Sequence, residues 1–227
     1  AGEKTATCTI TVSISIVDIE GNQATFHLDG ASAAQVSQAI SEAAQAGVTR
    51  FILTGDSEAL GLYDGNPFSG IQIELLDLSG VTGWQDRDAD GLPELPAESF
   101  RHTSSSDFSG LQEVILPQEI QQLQDYAFYK CSNLTKITAP GVVRVNSFAF
   151  QSCTKLAEVS MPEVTYLGTN AFMSTALQVA DFSKLQTLEG SVFWLCSKLT
   201  EVNLPEATTI GNATLVSQGG SRTGINT

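Results

Sequence analysis

The chain has 227 residues, 42% of them apolar and 16% charged, and carries a formal net charge of −14; this is the balance of a folded domain with its own core, not of a disordered acidic chain. The charge sits at the front: residues 1–110 hold 16 Asp or Glu against 4 Lys or Arg, and residues 111–227 hold 9 against 7. Such a front repels nucleic-acid phosphates and anionic membrane surfaces, so no nucleic acid is expected as a partner, and no apolar run approaches the ~20 residues of a transmembrane segment.

Residues 1–30 lack a basic start followed by an apolar core, so any signal peptide is expected to have been removed. They carry two alternating runs instead. Cys8, Ile10, Val12, Ile14 and Ile16 alternate with Thr and Ser, and Ala24, Phe26 and Leu28 alternate with Thr25 and His27. With Gly21-Asn22 between them, the runs predict a β-hairpin that covers the end of the core or forms a small added sheet. A helix is predicted over 31–47: Val36, Ala39, Ile40 and Ala43 share one face, Ser32 caps the start and Gly47 closes the end.

Two strand phrases follow, VTRFILT with Val48, Phe51 and Leu53 inward, and IELLDLS with Ile73, Leu76 and Leu78 inward. Next comes the acidic segment DRDADGLPELPAE. Asp86, Asp88 and Asp90 followed by Gly91 match the first half of an EF-hand loop, in which alternate carboxylates converge on one hard cation. Two features depart from that motif: the twelfth place is Ala97, with Glu98 one place late, and no amphipathic helix precedes Asp86. Calcium binding and a merely solvated acidic loop both stay open. No cofactor is otherwise required.

From Leu111 the sequence repeats. Leu111, Leu134, Leu156, Leu177 and Leu199 open the phrases LQEVILP, LTKITAP, LAEVSMP, LQVADFS and LTEVNLP, about 22 residues apart. Each phrase places apolar residues first, fourth and sixth, which predicts a short strand with one buried face. A second apolar pair follows (Ile120 and Leu123, Val143 and Val145, Val164 and Leu167). An Ala-Phe turn then brings Phe128, Phe150, Phe172 and Phe193, with Cys131, Cys153, Thr175 and Cys196 three residues on. One unit cannot bury its apolar side alone, whereas stacked units make a continuous core. The cysteines therefore read as small buried residues of a tight turn. A Cys131–Cys153 disulfide is disfavoured because parallel side chains rarely reach bonding geometry, and zinc because these spacings give no compact ligand pair. Phe100 takes the phenylalanine place of a longer coil that begins at Ile73 and carries two insertions. The last coil degenerates after Ile210, where Thr214 replaces the phenylalanine and a polar tail follows.

AFYKCSNLTKITAP, AFQSCTKLAEVSMP and VFWLCSKLTEVNLP resemble the BspA-like, treponemal-type leucine-rich repeats of anaerobic gut and oral bacteria. LDLSG and LPAESF resemble the strand and the turn that flank an acidic loop in that family. The resemblance implies an α/β fold: a right-handed leucine-rich-repeat solenoid with a parallel β-sheet, here preceded by the β-hairpin and helix. The expected regions are a hairpin cap (1–30), the helix with degenerate coils and the acidic insertion (31–110), five repeats (111–216) and the tail (217–227). It also implies a secreted or outer-surface protein used in adhesion or protein binding; the expected partner is a protein ligand, with a host extracellular or surface protein as one candidate. A lipid anchor carried outside this chain would be one means of attachment.

Outward residues of each strand phrase lie in rows that suit a protein partner: Glu113 and Ile115, Lys136 and Thr138, Glu158 and Ser160, Val179 and Asp181, Glu201 and Asn203, continuing upstream as Arg50, Ile52, Leu75 and Asp77. A solvated strand face is the plainer reading of the same residues. No aromatic stands in these rows, so a sugar site would be sought near Tyr126, Tyr129, Tyr166 and Trp194. Catalytic constellations are missing: His27 and His102 have no nucleophile in a recognisable arrangement, no glycine run cradles phosphate, and Glu94 with Glu98 is a weak acid pair. The expectation is a non-enzymatic protein-binding chain. Its alternatives are a calcium-dependent carbohydrate-binding module and an architectural segment of a larger surface protein.

Overall fold

A computed structural model describes residues 16–62, 66–102 and 110–211, together with the backbone of a strand at Ile225–Asn226. Cys8, the run before Ile16 and most of the tail lie outside the described residues. Chain order opens with β1 (Val17–Glu20), β2 (Gln23–His27), α1 (Ala33–Gln45), β3 (Arg50–Asp56), β4 (Leu75–Thr82) and β5 (Glu94–Leu95). The repeats then alternate a longer and a shorter strand: β6 (Glu113–Ile115), β7 (Gln122–Leu123), β8 (Lys136–Thr138), β9 (Arg144–Val145), β10 (Glu158–Ser160) and β11 (Tyr166–Leu167). β12 (Val179–Asp181), β13 (Thr187–Leu188), β14 (Glu201–Asn203), β15 (Thr209–Ile210) and β16 (Ile225–Asn226) complete the series.

These strands form a parallel-sheet β-solenoid. One sheet runs β1-β2-β3-β4-β6-β8-β10, a second β15-β13-β11-β9-β7-β5, and a third β12-β14-β16. Every described pairing is parallel except β1 with β2. The predicted hairpin is therefore not a separate sheet. Its second strand lies beside β3 with Phe26 opposite Leu53 and supplies the first rung, while β1 covers that rung's outer edge. Between β2 and β3, α1 is closed by a capping box of Ser32 and Gln35 and buries Val36, Ala39, Ile40 and Ala43. Gly47 leaves it in the left-handed region at φ +88°, a conformation that glycine adopts without a Cβ clash.

The core follows from the repeat. Val114 and Ile137 are fully buried and pair in register, as the alternation predicts. Phe100, Phe128, Phe150 and Phe172 stack face to face at 5.2, 5.2 and 5.0 Å. The column extends upstream through Phe68, Phe51 and Phe26, and downstream to Phe193. Each buried ring contributes about 1.5–3 kcal/mol by leaving water. One detail of the repeat shifts: in the coil that opens at Leu134 the inward partner of Val145 is Val142, which is fully buried, and Val143 is only half-buried.

Cys131, Cys153 and Cys196 are free and buried. Their thiols donate to the carbonyl oxygens of Phe100, Phe128 and Phe172, each 3.0 Å away and one coil earlier. Thr175 holds the same place as a hydroxyl, 3.3 Å from Cys196 Sγ. The disulfide reading of Cys131 and Cys153 falls away.

Candidate functional site

Pairing of the longer strands lays the outward residues into two rows. One runs Arg50, Leu75, Glu113, Lys136 and Glu158; the other runs Ile52, Asp77, Ile115, Thr138 and Ser160. The structure thus brings together six of the expected face residues, Glu113 to Ser160. Lys136 Nζ lies 2.8 Å from Glu113 Oε1, and this bond holds the lysine above its ordinary pKa. Solvent screens an exposed pair of this kind, so it orders the face more than it stabilises the fold. Leu75, expected outward, is buried.

The remaining expected residues, Asp181, Glu201 and Asn203, stand on a different sheet. β12 pairs with β14, with Asp181 opposite Asn203 and their side chains bonded at 3.0 Å, but no ladder joins β12 to β10. The break has a cause in the sequence. Phe128 to Leu134, Phe150 to Leu156 and Phe193 to Leu199 are six-residue steps, whereas Phe172 to Leu177 is five. Losing one residue before the strand shifts its entry. The Ala176 N–H bonds to the Leu156 carbonyl at 2.9 Å, and the strands then part. The gap is a notch of about 380 Å³ between the Val159 and Val179 strands, with Leu177 and Phe182 in its wall and Glu158 and Asp181 among its charges. Val179 is 48% exposed there.

Around the edge from this face lies the acidic segment. Oxygens of Asp86, Asp88 and Asp90 lie within 4.8 Å of one another, and all three residues are exposed. The Asp90 N–H donates to Asp86 Oδ1 and Asp88 Oδ1 at 3.2 and 3.3 Å, and the Gly91 N–H donates to Asp86 Oδ2 at 2.9 Å. Left-handed Ala89 and Gly91 permit that turn. Glu98, one place after the EF-hand's twelfth position, pairs with Arg101 instead.

Partners that sequence reasoning missed come from the next coil. Gln124 Nε2 donates to Asp88 Oδ2 at 2.8 Å and to Glu94 Oε2 at 2.6 Å. Gln122 is 1% exposed and places Nε2 3.4 Å from Asp88 Oδ2. Their only signal was polar glutamine on both sides of inward Leu123. The bond from Gln124 holds the Asp88 carboxyl below its usual pKa. Burial, and then the neighbouring aspartates, push Glu94 up. His27 lies exposed on β2, with Nε2 3.1 Å from Asp18 Oδ2.

On the turn side, Tyr126 stacks on Phe148 at 4.8 Å and meets Tyr129 edge-on, with Arg101 over both tyrosines. Tyr166 is covered by the Arg144 guanidinium at 3.8 Å, and Trp194 is 39% exposed.

Comparison with known families matches residues 95–218 to six copies of the BspA type leucine-rich repeat region, more than half of the chain. The chain belongs to the BspA-type leucine-rich repeat family. The match starts one coil before the first regular unit and so includes the turn at Phe100.

Among solved structures, the chain is similar to a leucine-rich repeat protein of T. pallidum at 20% identity, over 61% of this chain and 69% of that one, with a TM-score of 0.41. A leucine-rich cell surface protein of Faecalibacterium prausnitzii is similar at 18% identity, over 52% and 42%, with a TM-score of 0.38. A leucine-rich repeat protein of Bacteroides ovatus is similar at 20% identity, over 73% and 45%, with a TM-score of 0.45. The chain spans less than half the length of the last two proteins. No curated protein matches it. Among the described residues, no helix is long and apolar enough to cross a membrane.

Proposed function

We propose that this BspA-type chain is a binding protein of the cell exterior that takes an extended segment of a partner protein on its strand face, at the notch between β10 and β12. One observation carries the reading: the parallel ladder is interrupted there, so two strand edges confront each other without pairing. Backbone donors and acceptors along such edges seek partners, and an extended peptide supplies them while its alternate side chains enter flanking pockets. The pocket wall is apolar, with Val159, Val179, Leu177 and Phe182. Its charges are Glu158, Asp181 and a Lys136 already bonded to Glu113. The complementary segment alternates apolar and basic residues. Binding, not catalysis, suits a repeat scaffold, which spreads contacts over several coils. Location outside the cell, free or surface-attached, rests on the family resemblance.

Selection of a displayed random-peptide library on the full chain tests the site. Enriched peptides should alternate apolar and basic residues, and Val179→Lys should weaken them at least ~10-fold by filling and recharging the notch. Peptides that bind Val179→Lys as tightly as the wild type, or that depend on Thr187 of the second sheet, would remove the notch from the reading. Antibody labelling of intact producing cells tests the location, and an epitope reached only after lysis would contradict it.

A further inference from the structure

We propose that Asp86, Asp88, Asp90 and Gln122 hold a calcium ion, which clamps the acidic segment onto the coil of β7. The three carboxylates have the right separation. Calcium–oxygen bonds are about 2.3–2.6 Å, so oxygens on one ion lie no more than about 5 Å apart, and these lie within 4.8 Å.

An acidic turn alone would say little, but Gln122 adds an independent observation. Its side chain is buried and directed at the cluster, with Nε2 3.4 Å from Asp88 Oδ2, yet its Oε1 is buried without a hydrogen-bond partner among the described residues. A buried amide oxygen left unpaired is costly, and buried polar groups normally have partners. Turning the carboxamide over exchanges its two ends. With a cation in place, Oε1 then becomes a neutral oxygen ligand beside the three carboxylates, and the long N–H contact to Asp88 is given up.

Surrounding chemistry agrees. Glu94 is 5% exposed, and Gln124 ties it to Asp88. Asp88, Asp86 and Asp90 add their repulsion to the burial that pushes its carboxyl up. A divalent ion relieves that repulsion. An all-oxygen site on an open turn suits calcium, which accepts irregular geometry and six to eight ligands, better than magnesium, which demands a near-ideal octahedron. Water fills the remaining positions on the exposed side. The ion would join β5's approach to the next coil through Gln122, stiffening the part of the solenoid where the negative charge is concentrated. This inference does not depend on the partner-binding reading.

The test is calcium titration of the full chain after chelator treatment, followed by calorimetry and by melting temperature, with magnesium at equal ionic strength as the control. One calcium should bind, with a Kd of about 10⁻⁴–10⁻³ M, as in extracellular modules. Asp88→Asn should weaken it at least ~10-fold, and Gln122→Glu, which makes the fourth ligand a carboxylate, should tighten it. Gln122→Leu should weaken calcium while removing the orphaned oxygen, so its apo form should melt no lower than the wild type. Should Asp88→Asn fail to fold, Asp86→Asn serves in its place. The proposal is overturned by an absence of calcium heat, by equal responses to magnesium and calcium, or by unchanged affinity in both Gln122 variants.

Discussion

Cys153 gives its thiol hydrogen to the carbonyl oxygen of Phe128, 3.0 Å away in the preceding coil. Cys131 and Cys196 repeat the contact one coil before and two coils after, so the thiol links each turn to the phenylalanine backbone beneath it. Free thiols here are structural hydrogen-bond donors as well as space fillers. The hydroxyl of Thr175 shows that a small donor of another kind fits the same layer.

Burial pushes all three thiols above their ordinary range. In the unfolded chain they ionise near pH ~8.5, while in the native chain they stay protonated beyond it. Above that pH the native state binds more protons than the unfolded one, so stability falls as pH rises, by up to about 1.4 kcal/mol per pH unit for each thiol. Denaturant unfolding from pH 7 to 10 should show that decline, and a triple Cys→Ser variant should flatten it. Thiol reagents should label none of the three until the chain unfolds; rapid native labelling would contradict the packing.

Phe150 lies between Phe128 and Phe172, with ring centroids at 5.2 and 5.0 Å. Phe150→Ala should cost about 3–5 kcal/mol, because stacked coils cannot collapse into the cavity without shifting both neighbours. Trp194→Ala, at an exposed turn position, should cost far less. Comparable losses in chemical denaturation would mean that the column is not the stabilising element.

Each Ala-Phe turn places non-glycine residues in the left-handed region on both sides of the phenylalanine, among them Tyr126 and Lys130 around Phe128 and Phe148 and Ser152 around Phe150. That conformation costs an L-residue about 1–2 kcal/mol, partly offset in a Gly variant by about 0.4–1 kcal/mol of added unfolded-state entropy. Lys130 is exposed at φ +61°. Lys130→Gly should therefore gain about 0.5–1 kcal/mol, and β-branched Lys130→Val should lose stability. Equal melting temperatures for the two variants would contradict strain at this position.

Much of this was legible because the repeat reports the same physics several times over. Phe100, Leu134 and Cys153 are fully buried, as their spacing implied, and Ser32 caps α1 as its place in the sequence implied. Legibility failed where a contact joins segments of unlike sequence. Phe26 and Phe68 belong to the aromatic column but stand outside any regular unit, and β2 joins the main sheet by a register that alternation alone does not reveal. Gln122 belongs to no motif that marks it; it is buried, and its side chain meets Asp88 of the acidic segment, 34 residues earlier. The three aspartates were visible, but their fourth candidate ligand was not.

The shortened step from Phe172 to Leu177 offers a direct test of cause and effect. Inserting one serine between Thr175 and Ala176 restores the six-residue step of the neighbouring coils. The strand should then enter in phase, lie beside β10 with Val179 opposite Glu158, and join the first and third sheets into one. Amide exchange reads this directly: the N–H groups of 178–181 that face the gap should slow, because ladder hydrogen bonds protect them. The added pairing replaces solvent-facing backbone with hydrogen bonds of about 0.5–1.5 kcal/mol each, so the variant should be no less stable than the wild type. It should also lose any peptide selected on the notch, because the chain's own strands now occupy both edges. Unchanged exchange in this variant would place the cause of the break elsewhere, first in the exchange of bulk between Ala180 and Phe182, where the neighbouring coils carry Val159 with Met161 and Val202 with Leu204.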